Sequence, residues 1–356
     1  MRLGIIGLPQ SGKTTLFNAL TRGNAPTGMS AGKLEVHTAV VDVPDERVDR
    51  LSGLFTPKKT TYAKVTYADI AGLDGSRSKE GISGTLLNQL TQMDGLIHVV
   101  RVFDDENVPH VSGSIDPARD IKIMDDEFIL NDLIAVERKL DRLREEKTKG
   151  GGRDKTTVGY ETSLFERLKH SLDDENLLRD IELSTEEEKA LSGFGLLSRK
   201  PVVVVLNLSE SQSAPTIAYE HKRSRVVPVY SKLEMEISQL SPQDASDFLA
   251  EYHIEEPSLN KMIRISYELL GLESFFTGGK DEVRAWTIHQ GALAPEAAGE
   301  IHTDMQKGFI RAEVVTYEDL ISLGGFAEAR MKGKLRLEGK DYIVKDGDIL
   351  TIRFNL

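Results

Sequence analysis

Three short, nearly continuous apolar runs, residues 3–6, 96–100 and 202–206, stand out along the chain. A strand without alternation is buried on both faces, so these runs predict a parallel sheet covered by helices and an α/β core. Between the second and third runs the pattern turns periodic: Ile129, Leu133, Val136, Leu140 and Leu143 fall 4, 3, 4 and 3 residues apart, the narrow stripe of a coiled-coil-like helix. After the break Lys149-Gly150-Gly151-Gly152-Arg153, Leu164, Leu168 and Leu172 mark a second helix, so the two are expected to fold back as an antiparallel hairpin. Ser184 with Glu187 reads as a capping box that starts a short helix before the chain returns to the sheet at Pro201. From about Phe276 the pattern alternates between glycines. Residues 283–288, 310–315, 335–337, 342–344 and 349–352 read as five short strands of a small β-rich domain.

With 356 residues and 39% hydrophobic positions, the chain is expected to form two or three packed units. Lys plus Arg is 45 and Asp plus Glu is 57, a net charge of −12 that argues against coating nucleic acid by bulk charge and leaves room for a local basic patch. Residues 276–356, with 11 basic and 13 acidic side chains, are nearly neutral. The absence of cysteine removes disulfides, Cys-ligated zinc, Fe–S clusters and thiol catalysis, and fits a reducing compartment, with cytoplasm the default. The apolar stretch at the N-terminus is too short for a signal peptide. No run reaches the roughly 18 apolar residues of a membrane helix, so neither membrane nor DNA is an expected partner.

Gly7-Leu8-Pro9-Gln10-Ser11-Gly12-Lys13-Thr14 satisfies G-x-x-x-x-G-K-S/T, directly after the first predicted strand and before a helical stretch that begins with Thr15. The glycines let the loop curl so that backbone N–H groups and the helix N-terminus face a β-phosphate. Lys13 then reaches the β/γ oxygens and the Thr14 hydroxyl ligates Mg²⁺. A second phosphate element follows at the end of a strand, Asp69-Ile70-Ala71-Gly72: Asp69 for the metal shell and the Gly72 N–H to sense the γ-phosphate. The next position, where a Ras-like switch carries a water-orienting Gln, is Leu73. Leucine cannot position water, so turnover is expected to be slow, supplied from elsewhere, or absent in a protein that only binds nucleotide. After the run 202–206 comes Asn207-Leu208-Ser209-Glu210, where a guanine reader has N-K-x-D. Losing the Asp removes the basis for guanine preference and permits adenine. Pro228-Val229-Tyr230-Ser231-Lys232-Leu233, which ends another predicted strand, would line the base from the opposite side, with Ser231 and Lys232 as the polar candidates.

These residues resemble the Obg-like ATPases, the YchF family of translation-factor-related P-loop proteins, over essentially the whole chain. Besides the two phosphate motifs, the likeness rests on His98-Val99-Val100-Arg101, on His110-Val111 with Gly113 and Asp116-Pro117, on Asn207 with Glu210, and on Lys232-Leu233-Glu234. The tail is the most specific part: Phe275-Phe276-Thr277, the stretches 282–288, 297–304 and 307–314, and 337–344. The resemblance implies a G domain (1–130 plus 199–275), a helical coiled-coil insertion (131–198) and a C-terminal TGS domain (276–356) of β-grasp fold. It also implies ATP rather than GTP, Mg²⁺, slow hydrolysis with Leu73 in place of the Gln, and association with ribosomes or ribosomal RNA. His110, in the family's H-V-x-G element, is thereby a candidate to orient water. Two departures mark a divergent member. Lys33 stands about where the first switch carries Thr, so either Thr27 or Ser30 substitutes or the first switch does not close on the metal, and the stretch 73–81 keeps Gly81 but not the family's V-K-G-A-S. A GTPase, a nucleotide-gated binding module that never turns over, and an RNA-surface adaptor are the alternative readings.

Overall fold

The computed structural model describes residues 1–23, 37–70, 82, 84–149, 153–252, 254 and 256–355. In chain order its elements are β1 (Arg2–Ile6), α1 (Lys13–Thr21), β2 (His37–Asp42), α2 (Glu46–Phe55), β3 (Lys59–Thr61), β4 (Lys64–Asp69), α3 (Gly84–Thr91), β5 (Gly95–Arg101), α4 (Pro117–Lys149), α5 (Lys155–Asp173), a 3-10 turn (Leu178–Asp180) and α6 (Thr185–Leu191). There follow β6 (Val202–Asn207), β7 (Ser224–Val229), α7 (Ser231–Ser238), α8 (Pro242–Glu251), α9 (Ser258–Leu269), β8 (Leu272–Gly278) and β9 (Glu282–His289). The chain ends through α10 (Ala294–Ile301), α11 (Thr303–Lys307), β10 (Phe309–Thr316), α12 (Tyr317–Leu323), α13 (Phe326–Met331), β11 (Arg336–Glu338) and β12 (Asp348–Phe354).

Contacts divide the chain into two units, residues 1–39 with 66–262, and residues 40–65 with 263–356. The first sheet runs β2-β4-β1-β5-β6-β7, with β4, β1, β5, β6 and β7 pairing in parallel. Every residue of β5 and β6 is buried, which is why those runs show no alternation. Ile6, Leu90, Leu96, Val100, Phe128 and Leu206 meet in the core on one side of this sheet. The nucleotide-binding α/β architecture expected from the sequence is present.

The expected helical stripe belongs to α4, but the helix starts at Pro117, well before residue 131. Its first half, through Ile121, Met124 and Phe128, packs into the core of the sheet. Its second half, through Ile129, Val136, Leu140 and Leu143, packs with Leu164, Leu168 and Leu172 of α5. Asp132 stands at the changeover and is buried. Its carboxyl accepts from the Leu197 N–H (2.8 Å), the Ser198 N–H (2.8 Å) and the Ser198 hydroxyl (2.6 Å). Burial pushes that carboxyl up to about 6, against the pull of these hydrogen bonds.

In the second unit the sheet order is β11-β10-β12-β8-β9-β3, with β8 parallel to β12 and antiparallel to β9. Ala294, Ala297 and Ala298 of α10 pack with Phe275 and Val314, small residues letting the helix lie close on the sheet. Three details differ from the sequence reading. Strand β8 begins at Leu272, ahead of Phe276. Residues 342–344 form no strand and make an isolated bridge, Ile343 to Leu293, just ahead of α10. Residues 40–65 also belong here: β3 pairs in parallel with β9. Arg47 binds both Asp45 and Asp346, its guanidinium 5.0 Å from the centre of the Phe276 ring. Among the described residues, no helix is long and apolar enough to cross a membrane.

Replacing Asp132 by Ala would strand three buried donors. At about 1–3 kcal/mol for each unpaired group, partly relieved by relaxation, the expected loss is about 2–4 kcal/mol in urea unfolding followed by circular dichroism. The folded carboxyl titrates above the value of an unfolded Asp. Its contribution is therefore greatest at low pH and declines as pH rises through about 6, and the gap between wild type and variant should be larger at pH 5 than at pH 7.

Candidate nucleotide site

The loop between β1 and α1 adopts backbone angles that few residues tolerate. Gly7 (φ 149°), Gln10 (φ 62°) and Gly12 (φ 95°) are left-handed. A Cβ on Gly7 would lie 2.3 Å from the Val99 carbonyl oxygen, and one on Gly12 would lie 2.2 Å from Asn207 Nδ2, so both positions require glycine. The Ser11 N–H donates to the Leu8 carbonyl (3.3 Å) and Ser11 is buried, while Pro9, Gln10 and Thr15 are half-buried around it. Helix α1 has no side-chain cap and no acidic residue in its first turn, leaving its N-terminal amides to an outside anion.

Lys13 Nζ donates to the carbonyls of Gly7 and Leu8, at 2.9 Å each. Burial pushes this ammonium down to about 8 even though Asp69 favours its charge. Asp69, at the end of β4 and in register with Ile5 of β1, accepts from the Thr14 hydroxyl at 3.0 Å. Burial raises its carboxyl, while Thr14 and Lys13 pull the other way. Thr14 and Asp69 thus set two hard oxygens side by side. That donor set suits Mg²⁺, which needs few protein ligands when phosphates and water complete its shell. Among the described residues there is no group of three or more acidic or His side chains that would suit a metal held by protein alone.

Asn207 makes contacts that its place in N-x-x-E did not announce. Its side chain is buried, with Nδ2 donating to the Ser11 carbonyl (2.9 Å) and Oδ1 accepting from the Ser231 N–H (3.3 Å). Its own carbonyl accepts from the Val102 and Phe103 N–H groups (2.9 and 3.0 Å). With one bond to the protein at each end of its amide, Asn207 is a brace between the phosphate loop and the start of α7, and the second N–H and second lone pair are left for a further partner. Leu208 is buried beside it. Glu210 and Lys232 are exposed, and with Ser209, Ser211 and Tyr230 they line a cavity of about 300 Å³. Ser231 is fully buried and its hydroxyl has no hydrogen-bond partner among the described residues. Tyr230, within the stretch 228–233 that the sequence placed opposite the base, forms part of this wall.

His110 also departs from expectation. Its Nε2 pairs with Asp120 Oδ2 at 2.9 Å and its Nδ1 accepts from the Ser112 N–H at 3.1 Å, so both ring nitrogens are occupied at the start of α4. Arg119 holds the other Asp120 oxygen (2.8 Å). In this conformation the imidazole has no nitrogen to spare for a water. Gly72 and Leu73, and Thr27, Ser30 and Lys33 of the first switch, lie outside the described residues.

A left-handed glycine loop between a central parallel strand and an uncapped helix, with a lysine folded over it and a Thr–Asp pair beside it, defines a P-loop nucleotide-binding protein. Residues 2–139 match the family model described as 50S ribosome-binding GTPase, and residues 272–355 match the YchF-GTPase C-terminal model, described as a protein of unknown function (DUF933). The chain is 40% identical over 365 residues to the ribosome-binding ATPase YchF of Bacillus subtilis, covering 99% of each. It is 36% identical over 368 residues to Obg-like ATPase 1 of Oryza sativa subsp. japonica, covering 100% of this chain and 92% of that one. The structure of the Schizosaccharomyces pombe YchF GTPase superposes with a TM-score of 0.84 at 31% identity, covering 99% and 97% of the two chains. The chain belongs to the YchF family.

Asn207→Ala would leave the Ser11 carbonyl and the Ser231 N–H unpaired. We expect nucleotide affinity to fall about tenfold and stability by about 1–3 kcal/mol. Fluorescence titration and thermal melting of the same samples would check both.

Proposed function

We propose that this protein binds ATP in the P-loop, hydrolyses it slowly to ADP and phosphate, and uses nucleotide state to regulate an association with the ribosome. The carrying observation is the juxtaposition of Lys13, Thr14 and Asp69. A cation held only by carbonyls and a neighbouring carboxylate lies next to a hydroxyl–carboxylate pair, at a helix N-terminus open to an anion. Full-length similarity to proteins named ribosome-binding ATPases supports the partner and the reaction. In this reading Lys13 leaves the Gly7 and Leu8 carbonyls for the β- and γ-phosphates. Thr14 and Asp69 hold Mg²⁺, which when bound neutralises charge on the phosphates. The backbone N–H groups of residues 10–15 and of Gly72 bind the phosphate oxygens. Leu73 offers no group to orient water, and His110 is engaged by Asp120, which accounts for slow turnover. The helical hairpin within 131–198 and the C-terminal TGS-like part, 276–356, are the surfaces that meet the partner, in the cytoplasm.

Glu210 is the base reader. Its carboxylate accepts from the exocyclic amine of adenine at the edge of the cavity shared with Lys232 and Tyr230. In the GTPase reading the same carboxylate accepts from the N1–H and 2-amine of guanine. Calorimetric titration of Mg-ATP and Mg-GTP into the full chain and into Glu210→Asp separates the two. We expect ATP to bind at least about tenfold more tightly, roughly 1.4 kcal/mol, with the gap narrowed in the variant. Equal affinities or a GTP preference would reclassify the protein.

A further inference from the structure

Glu210 is exposed on a turn outside any strand or helix, so something must hold it if it is to read a base. The turn is closed by a single residue beyond the cavity wall. The main-chain N–H of Gln212 donates to the Ser209 carbonyl at 3.0 Å, and its side-chain Oε1 accepts from the Ser209 N–H at 3.1 Å. The other end of the same amide, Nε2, donates to the Val102 carbonyl at 3.2 Å. Val102 is itself fastened through its N–H to the Asn207 carbonyl at 2.9 Å. The Gln212 carbonyl accepts from the Tyr230 hydroxyl at 3.4 Å, which ties in the opposite wall of the cavity. Gln212 therefore grips both neighbours of the base without lining the cavity, and connects them to the strand end that also carries the phosphate-loop brace.

We infer that Gln212 is a positioning residue for nucleoside recognition: its side-chain amide fixes the Ser209–Glu210 turn so that the Glu210 carboxylate meets an exocyclic amine of the base. This inference rests on the base-pocket reading above. An amide is required because one end must accept and the other donate; Glu supplies only the acceptor and Ala neither. Pre-ordering matters because a charged side chain on a loose turn would lose much of its binding free energy to ordering.

The full-length protein, Gln212→Ala and Gln212→Glu are titrated with Mg-ADP, Mg-GDP and inorganic pyrophosphate. In Gln212→Ala we expect ADP affinity to fall about tenfold and the ADP-to-GDP ratio to approach one, with pyrophosphate affinity unchanged within twofold. Gln212→Glu should fall between wild type and Gln212→Ala, and it carries the same comparison if the Ala variant does not fold. Parallel losses for ADP and pyrophosphate, or an ADP preference untouched in both variants, overturn the inference. A wild type that binds ADP and GDP equally contradicts the base-pocket reading instead, and the ADP-to-pyrophosphate ratio then judges Gln212 by itself.

Discussion

The nucleotide unit is organised around the Lys13 ammonium, which is held partly out of water on two main-chain carbonyls. Such a group is poorly solvated by its surroundings, and Asp69 offsets only part of the burial. The loop that holds it is folded by three left-handed residues, two of them glycines that no side chain can replace, so the arrangement is fixed before any ligand arrives. The uncapped amides of α1 add partial positive charge at the same place. An entering phosphate supplies the anion that this corner lacks, and the strain of keeping the site open becomes affinity for nucleotide.

Phosphate and base recognition are joined by short polar connections at the carboxyl ends of β5 and β6, where parallel sheets place their ligands. Asn207 connects the Ser11 carbonyl to the Ser231 N–H, and its own carbonyl receives the chain leaving β5. Because Gly12 has no Cβ, the Asn207 amide can approach the loop closely, and the two residues depend on each other.

The central strands were legible because burial on both faces leaves a continuous apolar run, and the phosphate loop because its glycines and lysine have fixed spacing. The stripe from Ile129 to Leu143 was equally readable, yet the helix carrying it starts at Pro117, since its first half serves a different core and shows a different face. The partners of Asn207 and His110 were not legible for one shared reason. A polar side chain near a motif carries no periodic signal of whether it faces a ligand or a neighbour, and Ser11, Ser231 and Asp120 took both residues up as partners. The membership of residues 40–65 in the second unit was out of reach, because the Thr61–Glu282 contact spans 221 positions. Strand β3 alone, three residues long and mostly exposed, has no apolar pattern.

The central claim is that Lys13 exchanges carbonyl partners for phosphate. Free Lys13 titrates near 8, and phosphate contact raises it, so ADP binding at pH 8 should draw a proton from solution. Calorimetry of Mg-ADP binding at pH 8, in two buffers of different ionisation enthalpy, measures that proton directly. The account predicts net uptake of up to about half a proton, and an affinity that weakens as pH rises from 7 to 9.5. No uptake together with a flat affinity over that range would contradict it.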